Sequence, residues 1–361
     1  MWGAILPDVR RASPVAELLS LLSLLDHWSL RQYAHDAWFV PLPTPGLAAR
    51  VRCESLSIPH WHCPAVRAVR LNYPITKQIP VVETAQPDAP PQAWKLTLSY
   101  DGTDFCGWQV QPGERTVQGE LQSALRRIVS ESPLPQGSGR TDAGVHALAQ
   151  VASFALHARI PEANLVRALN RTLPAAIRIL DARIVPASFH ARHSAVAKTY
   201  EYRVFPIEPA MKQLCPPFLS RYVYPYSWRI DVSQLQRAAE AFVGERDFSS
   251  FAATDPDLAS RDEMALPHSV LRTETRASVR TIYSSEWQEQ SHEAGTLLVY
   301  RVRGNGFLHH MVRNLVGTML DIGRGYTRVE DLLAIFEARD RSAAGPTAPA
   351  RGLFLHSVEY E

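Results

Sequence analysis

The sequence predicts an α+β fold with two similar helix-on-antiparallel-sheet halves that form a central cleft, preceded by an irregular N-terminal extension. Three observations lead to this prediction. From residue 95 onward, alternating strand patterns and amphipathic helix patterns follow one another. This succession occurs twice, so we expect one half at 92–198 and another at 199–361. Residues 1–91 instead carry dense Trp, Pro and His without a sustained period and end in a Pro-rich stretch typical of a linker. We expect them to be a disordered extension or a segment that is not translated.

The first half begins with an expected strand at 95–100, where polar and apolar residues alternate. A helix is expected at 116–129, because Thr116 is a suitable N-cap and the apolar residues that follow recur on one helical face. A strand at 150–157, a helix at 162–172 and a strand at 177–185 complete this half. The β-α-β-α-β order predicts helices packed on one sheet.

The second half repeats the alternation with longer segments. Strands are expected at 199–205, 278–287, 296–303 and 353–358, and helices at 232–243, 307–322 and 329–338. The stretch 251–273 is rich in Asp, Ser and Pro and is expected to be a long loop. The sheets of the two halves could pair and leave a cleft between them.

Charge alone does not indicate a nucleic-acid partner, since the net charge is only +2. Arg supplies 34 of the 38 basic residues, and its planar fork grips phosphate, although a GC-rich genome would produce the same excess. A basic cleft would have to come from local clustering. The candidates for its lining are Arg126, Arg127, Arg167, Arg171, Arg192, Arg203, Arg301 and Arg303.

Other features exclude several classes of protein. No run of eighteen apolar residues exists, so no membrane span is expected. The four cysteines lack the spacing of a secreted disulfide scaffold, which favours reduced thiols and a cytoplasmic location. The group formed by Cys53, His60, His62 and Cys63 has metal-capable side chains, but its spacing matches none of the usual zinc patterns, so no metal is expected.

The segment from Gly137 to Ala147, GSGRTDAGVHA, carries the chemistry. Its glycines allow sharp turns and a close approach of the backbone, and Asp142 lies between them. Local physics leaves two interpretations open. Asp142 could cap an ordinary Gly-rich turn, or an ion pair with Arg140 could hold its carboxylate ionised and oriented for catalysis.

This segment resembles the catalytic motif of the TruA-type tRNA pseudouridine synthases, in which an Arg-Thr-Asp-Ala-Gly-Val-His string carries the essential Asp. The resemblance covers about residues 94–361. Further stretches in the same order are similar to that family: YDGT at 100–103, FCGWQ at 105–109, FHAR at 189–192, KTYEYR at 198–203, GFLHHMVRN at 306–314 and GLFL at 352–355.

The resemblance implies isomerisation of uridine in the tRNA anticodon stem-loop, at positions 38 to 40, without a cofactor. Asp142 would be the catalytic carboxylate and Arg313 its partner. Arg140 would hold the RNA backbone open, and Tyr200 would pack on the flipped uracil. The remaining candidate contacts are Leu353 or Leu355 as an apolar wall, either of which could equally be plain core, and His310.

Helical spacing places His310, Arg313 and Gly317 on one face of their helix, where a small Gly would let RNA or the partner domain approach. Phe105 and Trp108 beside the first strand are expected to pack rather than bind RNA. The family is dimeric, so the resemblance also implies a homodimer that binds tRNA.

Two other functions compete with this interpretation. A catalytically inactive tRNA-binding scaffold or chaperone would bind without modifying, although loss of the Asp would be its signature. A carboxylate-based hydrolase usually needs a second carboxylate or a metal, and the sequence shows neither beside the Gly-rich segment.

Overall fold

A computed structural model of the protein describes residues 90–207, 214–253 and 278–361. The expectations for the N-terminal extension and for the group around Cys53 and Cys63 lie outside these residues, as does most of the loop expected at 251–273. No helix within the described ranges combines the length and the apolar character that crossing a membrane requires.

The described strands form one ten-stranded sheet with the order β4-β1-β3-β10-β5-β9-β8-β7, while β2 pairs with β3 and β6 with β5. Most neighbours are antiparallel, but β10 runs parallel to β3 and β6 parallel to β5. The strands are β1 Gln92–Tyr100, β2 Gln136–Gly137, β3 His146–Leu156, β4 Ile177–Val185, β5 Ala195–Pro206, β6 Tyr224–Tyr226, β7 Gly244–Asp247, β8 Val279–His292, β9 Gly295–Gly304 and β10 Leu353–Tyr360.

The helices contribute their apolar faces to the same core as alternate residues of the central strands. The α-helices of the described residues are α1 Val117–Val129, α2 Glu162–Thr172, α3 Pro217–Ser220, α4 Val232–Ala241, α5 Met311–Gly323 and α6 Leu332–Ala338. Buried residues of α1, α2, α4 and α5 belong to one hydrophobic cluster with Leu96 of β1, Tyr202 of β5 and Tyr300 of β9. We call this side of the sheet the helix face, and the other side the outer face.

The expected α+β class is confirmed, and most expected elements are present. The closing strand β10 lies between β3 and β5 and therefore joins the two halves of the sheet. The helix expected from residue 307 begins at Met311, because His310 has a left-handed backbone (φ 59°). The helix expected from residue 329 begins with a 3-10 turn and becomes α-helical at Leu332.

Candidate active site

The Gly-rich segment between β2 and β3, residues 138–145, which we call the motif loop, rests on the segment that follows β1. The amide of Trp108 donates to Thr141 O at 3.0 Å, and the amide of Gly144 donates to Phe105 O at 3.2 Å. Gly107 has φ +85°, and a Cβ there would lie 2.5 Å from Thr141 O. Glycine is therefore needed at 107 so that the two segments can meet.

Buried polar side chains hold the motif loop from below. The Tyr100 hydroxyl shares a 2.8 Å hydrogen bond with Thr141 Oγ1. Gln150 Nε2 donates to Gly139 O at 2.9 Å. Both side chains are buried, so these bonds fix the part of the loop that directly precedes Asp142. Phe105 and Trp108, both about 3% exposed, pack in the core as the sequence suggests.

His146, which ends the motif, lies on the outer face and ties the start of β3 to neighbouring segments. Its Nδ1 accepts from the Gly102 amide at 3.0 Å and lies 3.2 Å from Asp101 Oδ1. Because Nδ1 is an acceptor, the ring proton belongs on Nε2, which lies 3.0 Å from Arg221 O. Burial lowers the pKa of His146, although the Asp101 charge opposes this shift.

The carboxylate of Asp142 is 21% exposed and meets three side chains from the N-terminal end of α5. Arg313 Nη1 lies 2.8 Å from Oδ2, His310 Nε2 lies 3.3 Å from Oδ2, and His309 Nε2 lies 3.7 Å from Oδ1. The guanidinium against Asp142 is thus that of Arg313, whereas the sequence had left an ion pair with Arg140 open.

Sequence reasoning missed His309 and expected no ligand cluster beside the motif loop. Asp142, His309 and His310 in fact present ligand atoms that all lie within 4.8 Å of one another. The His doublet directly before an amphipathic helix was a usable signal, but only the fold brings it to Asp142. Arg313 and His310 both contact Oδ2 of Asp142. A cation bound by Asp142 and the two histidines would therefore be repelled by the guanidinium charge.

Arg313 is held from both ends by a crossing segment at 346–348. Its Nε donates to Ala348 O at 2.7 Å, and the Ala348 amide donates to Arg313 O at 3.1 Å. A methyl group on Gly317 would overlap Pro346 O. The expectation that Gly317 admits RNA or the partner domain is therefore wrong, because the chain's own segment fills that space. This segment leaves Arg313 Nη1 pointing at Asp142.

His310 directly precedes α5, and its pKa is lowered. Burial lowers its pKa, the Asp142 charge partly offsets this, and His309, Arg313 and Arg341 lower it further. The ring is therefore neutral at neutral pH and is able to donate or accept one hydrogen bond beside Asp142.

Tyr200 lies on β5 at the floor of the site and is 8% exposed. Its ring meets Phe307 edge-on, with centroids 5.0 Å apart. Burial raises its pKa, and Tyr100 and Asp142 raise it further. The phenol is therefore protonated at neutral pH, so in the free protein it acts as a hydrogen-bond donor rather than as a phenolate base.

The two candidate leucines lie on β10 beside the tyrosines of β5. Leu355 pairs with Tyr200 and Leu353 with Tyr202, so both face the helix side. Their exposures are 0% and 5%, and both belong to the core cluster. Arg140 is exposed at the tip of the motif loop.

Three of the arginines expected to line the cleft lie elsewhere. Tyr200 pairs with Val302, whereas Glu201 pairs with Arg301 and Thr199 with Arg303. Since successive residues of a strand point to opposite faces, the arginines at 301 and 303 share the outer face, away from Tyr200. Arg203 and Arg301 bind Glu201 there at 2.7 and 2.9 Å.

The arrangement brings an ionisable carboxylate, a fixed guanidinium, a neutral imidazole and a protonated phenol to one region of the helix face. A partly exposed carboxylate held in this way is suited to act as a nucleophile or a base on a substrate that enters from solvent. The first half supplies Asp142, and the second half supplies Tyr200, His310 and Arg313.

Comparison with known proteins identifies the family of this chain. The sequence profile of a family described as tRNA pseudouridine synthase matches residues 97–194 and 238–361. A protein named tRNA pseudouridine synthase A from Solibacter usitatus (strain Ellin6076) is 48% identical over 266 residues, which are 74% of this chain and 98% of that protein. Proteins of the same name from Lacticaseibacillus casei (strain BL23) and Caldicellulosiruptor bescii (strain ATCC BAA-1888 / DSM 6725 / KCTC 15123 / Z-1320) are 42% and 38% identical over 268 and 265 residues. These matches cover 74% and 73% of this chain and 99% and 98% of theirs.

Proposed function

This chain belongs to the tRNA pseudouridine synthase family, and on that premise we propose that it modifies the anticodon stem-loop at positions 38, 39 and 40, with Asp142 as the catalytic carboxylate. It is an isomerase that acts on tRNA and converts uridine to pseudouridine. The N1–C1′ bond breaks, a C5–C1′ bond forms, N1 gains a proton and C5 loses one. The product has the atoms of the substrate, so the reaction consumes no co-substrate.

The observation that carries the proposal is the position of Asp142. Its carboxylate rises from a loop whose backbone is bonded on both sides, meets Arg313 at 2.8 Å and remains 21% exposed. The Arg313 guanidinium holds one carboxylate oxygen in place, and attack on the sugar or the base, or removal of a ribose proton, needs an ionised oxygen. Which of these three steps Asp142 performs stays open.

The other side chains have roles that follow from their surroundings. Arg313 holds Asp142 in one orientation, and His310 offers a neutral hydrogen-bonding group beside it. The protonated Tyr200 hydroxyl donates to the uracil, whose ring stacks near Tyr200, and the buried Leu355 is the apolar wall beside that tyrosine. Leu353 supports this apolar wall from the next pair along β10, and the exposed Arg140 contacts the RNA backbone that the uridine has left.

A stem uridine must leave the base stack to reach Asp142. Flipping costs a few kcal/mol and is least costly for weakly paired bases near a loop, which fits a substrate at the junction of the anticodon stem and loop. We extend the proposal to a cleft shared by 92–198 and 199–361, to a homodimer and to the cytoplasm, where tRNA is found. The extent and role of an extension at 1–91 stay predictions.

The test compares the wild-type protein with Asp142→Asn and Asp142→Ala on an unmodified tRNA transcript, with pseudouridine mapped at every uridine. We expect product at positions 38 to 40 with the wild type. Both variants should lose at least about 10³-fold in single-turnover rate while binding tRNA within about threefold, because the carboxylate acts on the reacting atoms.

The inactive scaffold predicts a different pattern. Wild-type protein that binds tRNA but forms no pseudouridine on any transcript would favour that reading. Product at other uridines would retain the enzyme and remove the proposed specificity. Asp142→Asn that keeps wild-type activity would exclude Asp142 as the catalytic group.

A further inference from the structure

Asn314 is fully buried on α5, directly after Arg313, and its amide joins three other parts of the chain. Thr347 Oγ1 of the crossing segment donates to Asn314 Oδ1 at 2.7 Å. Arg341 Nη2 donates to the same oxygen at 2.9 Å. Asn314 Nδ2 donates to Phe251 O at 2.7 Å. One side chain thus ties α5 to the crossing segment, to the turn before that segment and to the residues that follow β7.

The partners of this amide fix its orientation. A guanidinium only donates, so the atom that Arg341 meets on Asn314 is the oxygen, and the amide nitrogen faces Phe251 O. Arg341 Nη2 also donates to Thr347 Oγ1 at 2.9 Å, and that hydroxyl gives its own proton to Asn314. The side chains of Arg341, Thr347 and Asn314 therefore form a closed hydrogen-bonded ring, which we call the amide ring. Such a network stiffens its surroundings when every member is satisfied.

The amide ring fixes the same segment that holds Arg313. Arg313 Nε donates to Ala348 O at 2.7 Å, and the Ala348 amide donates to Arg313 O at 3.1 Å, one residue after Thr347. Two residues before Thr347, the Gly345 amide donates to Thr318 Oγ1 at 2.9 Å. Because Thr347 and Ala348 are adjacent, a shift of Thr347 would move the Ala348 carbonyl and with it the guanidinium.

We propose that Asn314 is a positioning residue for the isomerisation, and that through the amide ring it sets the orientation in which Arg313 meets Asp142. This inference rests on the proposed role of Asp142. Asn314 is 0% exposed, so it does not contact the uridine and acts through Arg313. A misplacement of about 1 Å that originates away from the reacting atoms can cost about 10²-fold in rate.

A purely structural role for Asn314 has different consequences. If the amide only stabilises the fold, its loss would lower the melting temperature, and any fall in rate would multiply with the effect of removing Arg313. If Asn314 acts through Arg313, its loss has no guanidinium left to misplace once Arg313 is gone. Groups that act as a unit are strongly non-additive. A double-mutant cycle therefore separates the two roles.

The experiment measures single-turnover rates and Kd on an unmodified tRNA transcript for Asn314→Ala, Arg313→Ala and the double variant. We expect Asn314→Ala to slow the reaction by about 10- to 100-fold with Kd within about threefold of wild type. In the Arg313→Ala background, the same change should alter the rate by less than about twofold. Equal fold-losses in the two backgrounds would overturn the proposal.

Thr347→Val is a milder variant that keeps the test decisive if Asn314→Ala does not fold. It removes one hydroxyl from a partly buried position and leaves the Asn314 amide bonded to Arg341 and Phe251. We expect it to slow the reaction by about three- to tenfold, and by less than about twofold when Arg313→Ala is also present. A wild-type rate in Thr347→Val would show that the amide ring does not position Arg313.

Asn170→Ala is the matched control, since Asn170 also joins a helix to another segment through two hydrogen bonds. On α2, its Nδ2 donates to Ile179 O of β4 at 2.9 Å, and its Oδ1 accepts from the Ile179 amide at 2.8 Å. This variant should lower the melting temperature and leave the rate and Kd unchanged. A rate loss as large as that of Asn314→Ala would mean that lost stability alone slows the reaction, and the proposal would fall.

Failure of the proposed function gives a different result. Wild-type protein that forms no pseudouridine, or Asp142→Asn that keeps the wild-type rate, would remove the proposed function. Wild-type protein that depends on Asp142 but is unaffected by Asn314→Ala would remove only the positioning role. The two failures are therefore distinguishable.

Discussion

The two faces of strand β5 carry positive charge in opposite ways. On the outer face, Arg203 and Arg301 both bind the buried carboxylate of Glu201, which is 3% exposed. On the helix face, the Lys198 ammonium donates to the backbone carbonyl of Ser138 at 2.5 Å, and its pKa is lowered to about 8, mainly by burial.

This difference shows why the number of arginines says little about where RNA binds. Arginines that share a carboxylate have part of their charge neutralised and are held against the sheet, which leaves them less able to attract phosphate. A cation that donates to a backbone carbonyl, as Lys198 does, is not neutralised in this way. The net charge of +2 sums over both kinds of cation. Which cations are paired with a carboxylate becomes clear only once the strand structure places each side chain on one face of the sheet.

The largest expected difference between the faces is in catalysis. Arg313→Lys keeps a charge but cannot contact Asp142 and Ala348 O together, because lysine lacks the guanidinium fork. We expect a fall of about 10²-fold in single-turnover rate with tRNA binding within about threefold. Arg301→Lys on the outer face should stay within about twofold of wild type in both quantities. Comparable rate losses in the two variants would contradict the assignment of the faces.

The sequence predicted the fold class, the motif loop and most elements because each depends on local patterns. The sequence predicted a strand at 199–205, which includes Tyr200 but not Lys198, and assigned neither side chain to a face. It could not place Arg301 opposite Glu201, since that pairing depends on the register of β9. His309 was missed for a similar reason, because its meeting with Asp142 spans distant parts of the chain.

The crossing segment on the helix face gives a second prediction. Gly317 packs against Pro346 O with no room for a methyl group. Gly317→Ala should lower the free energy of unfolding by about 1–3 kcal/mol through overpacking and slow catalysis as Arg313 loses its clamp. Gly306→Ala is the control, since its Cβ would lie 3.6 Å from Arg280 Nε in ordinary contact. Thermal unfolding and single-turnover rates measure both effects. Unchanged stability in Gly317→Ala would show that the close contact between Gly317 and Pro346 O does not hold the crossing segment on α5.

The smallest expected effect concerns acid stability on the outer face. Burial alone would raise the pKa of Glu201, but hydrogen bonds and charge from Arg203 and Arg301 outweigh it and lower the pKa below its ordinary 4.5. The stabilisation is therefore present above pH 4.5 and is lost as pH falls through the lowered pKa.

Glu201→Gln removes that titration and leaves one hydrogen-bonding oxygen. We expect it to lower the free energy of unfolding at pH 7 by about 1 kcal/mol, a value reduced because both arginines are partly exposed. It should also flatten the decline of this free energy as pH falls below 4.5. Glu359→Gln, at a more exposed pair with Arg303, should change both less. Urea unfolding at several pH values measures this. An unchanged acid slope in Glu201→Gln would mean that the outer-face arginines are not neutralised by Glu201, and the contrast between the two faces of β5 would then lose its electrostatic basis.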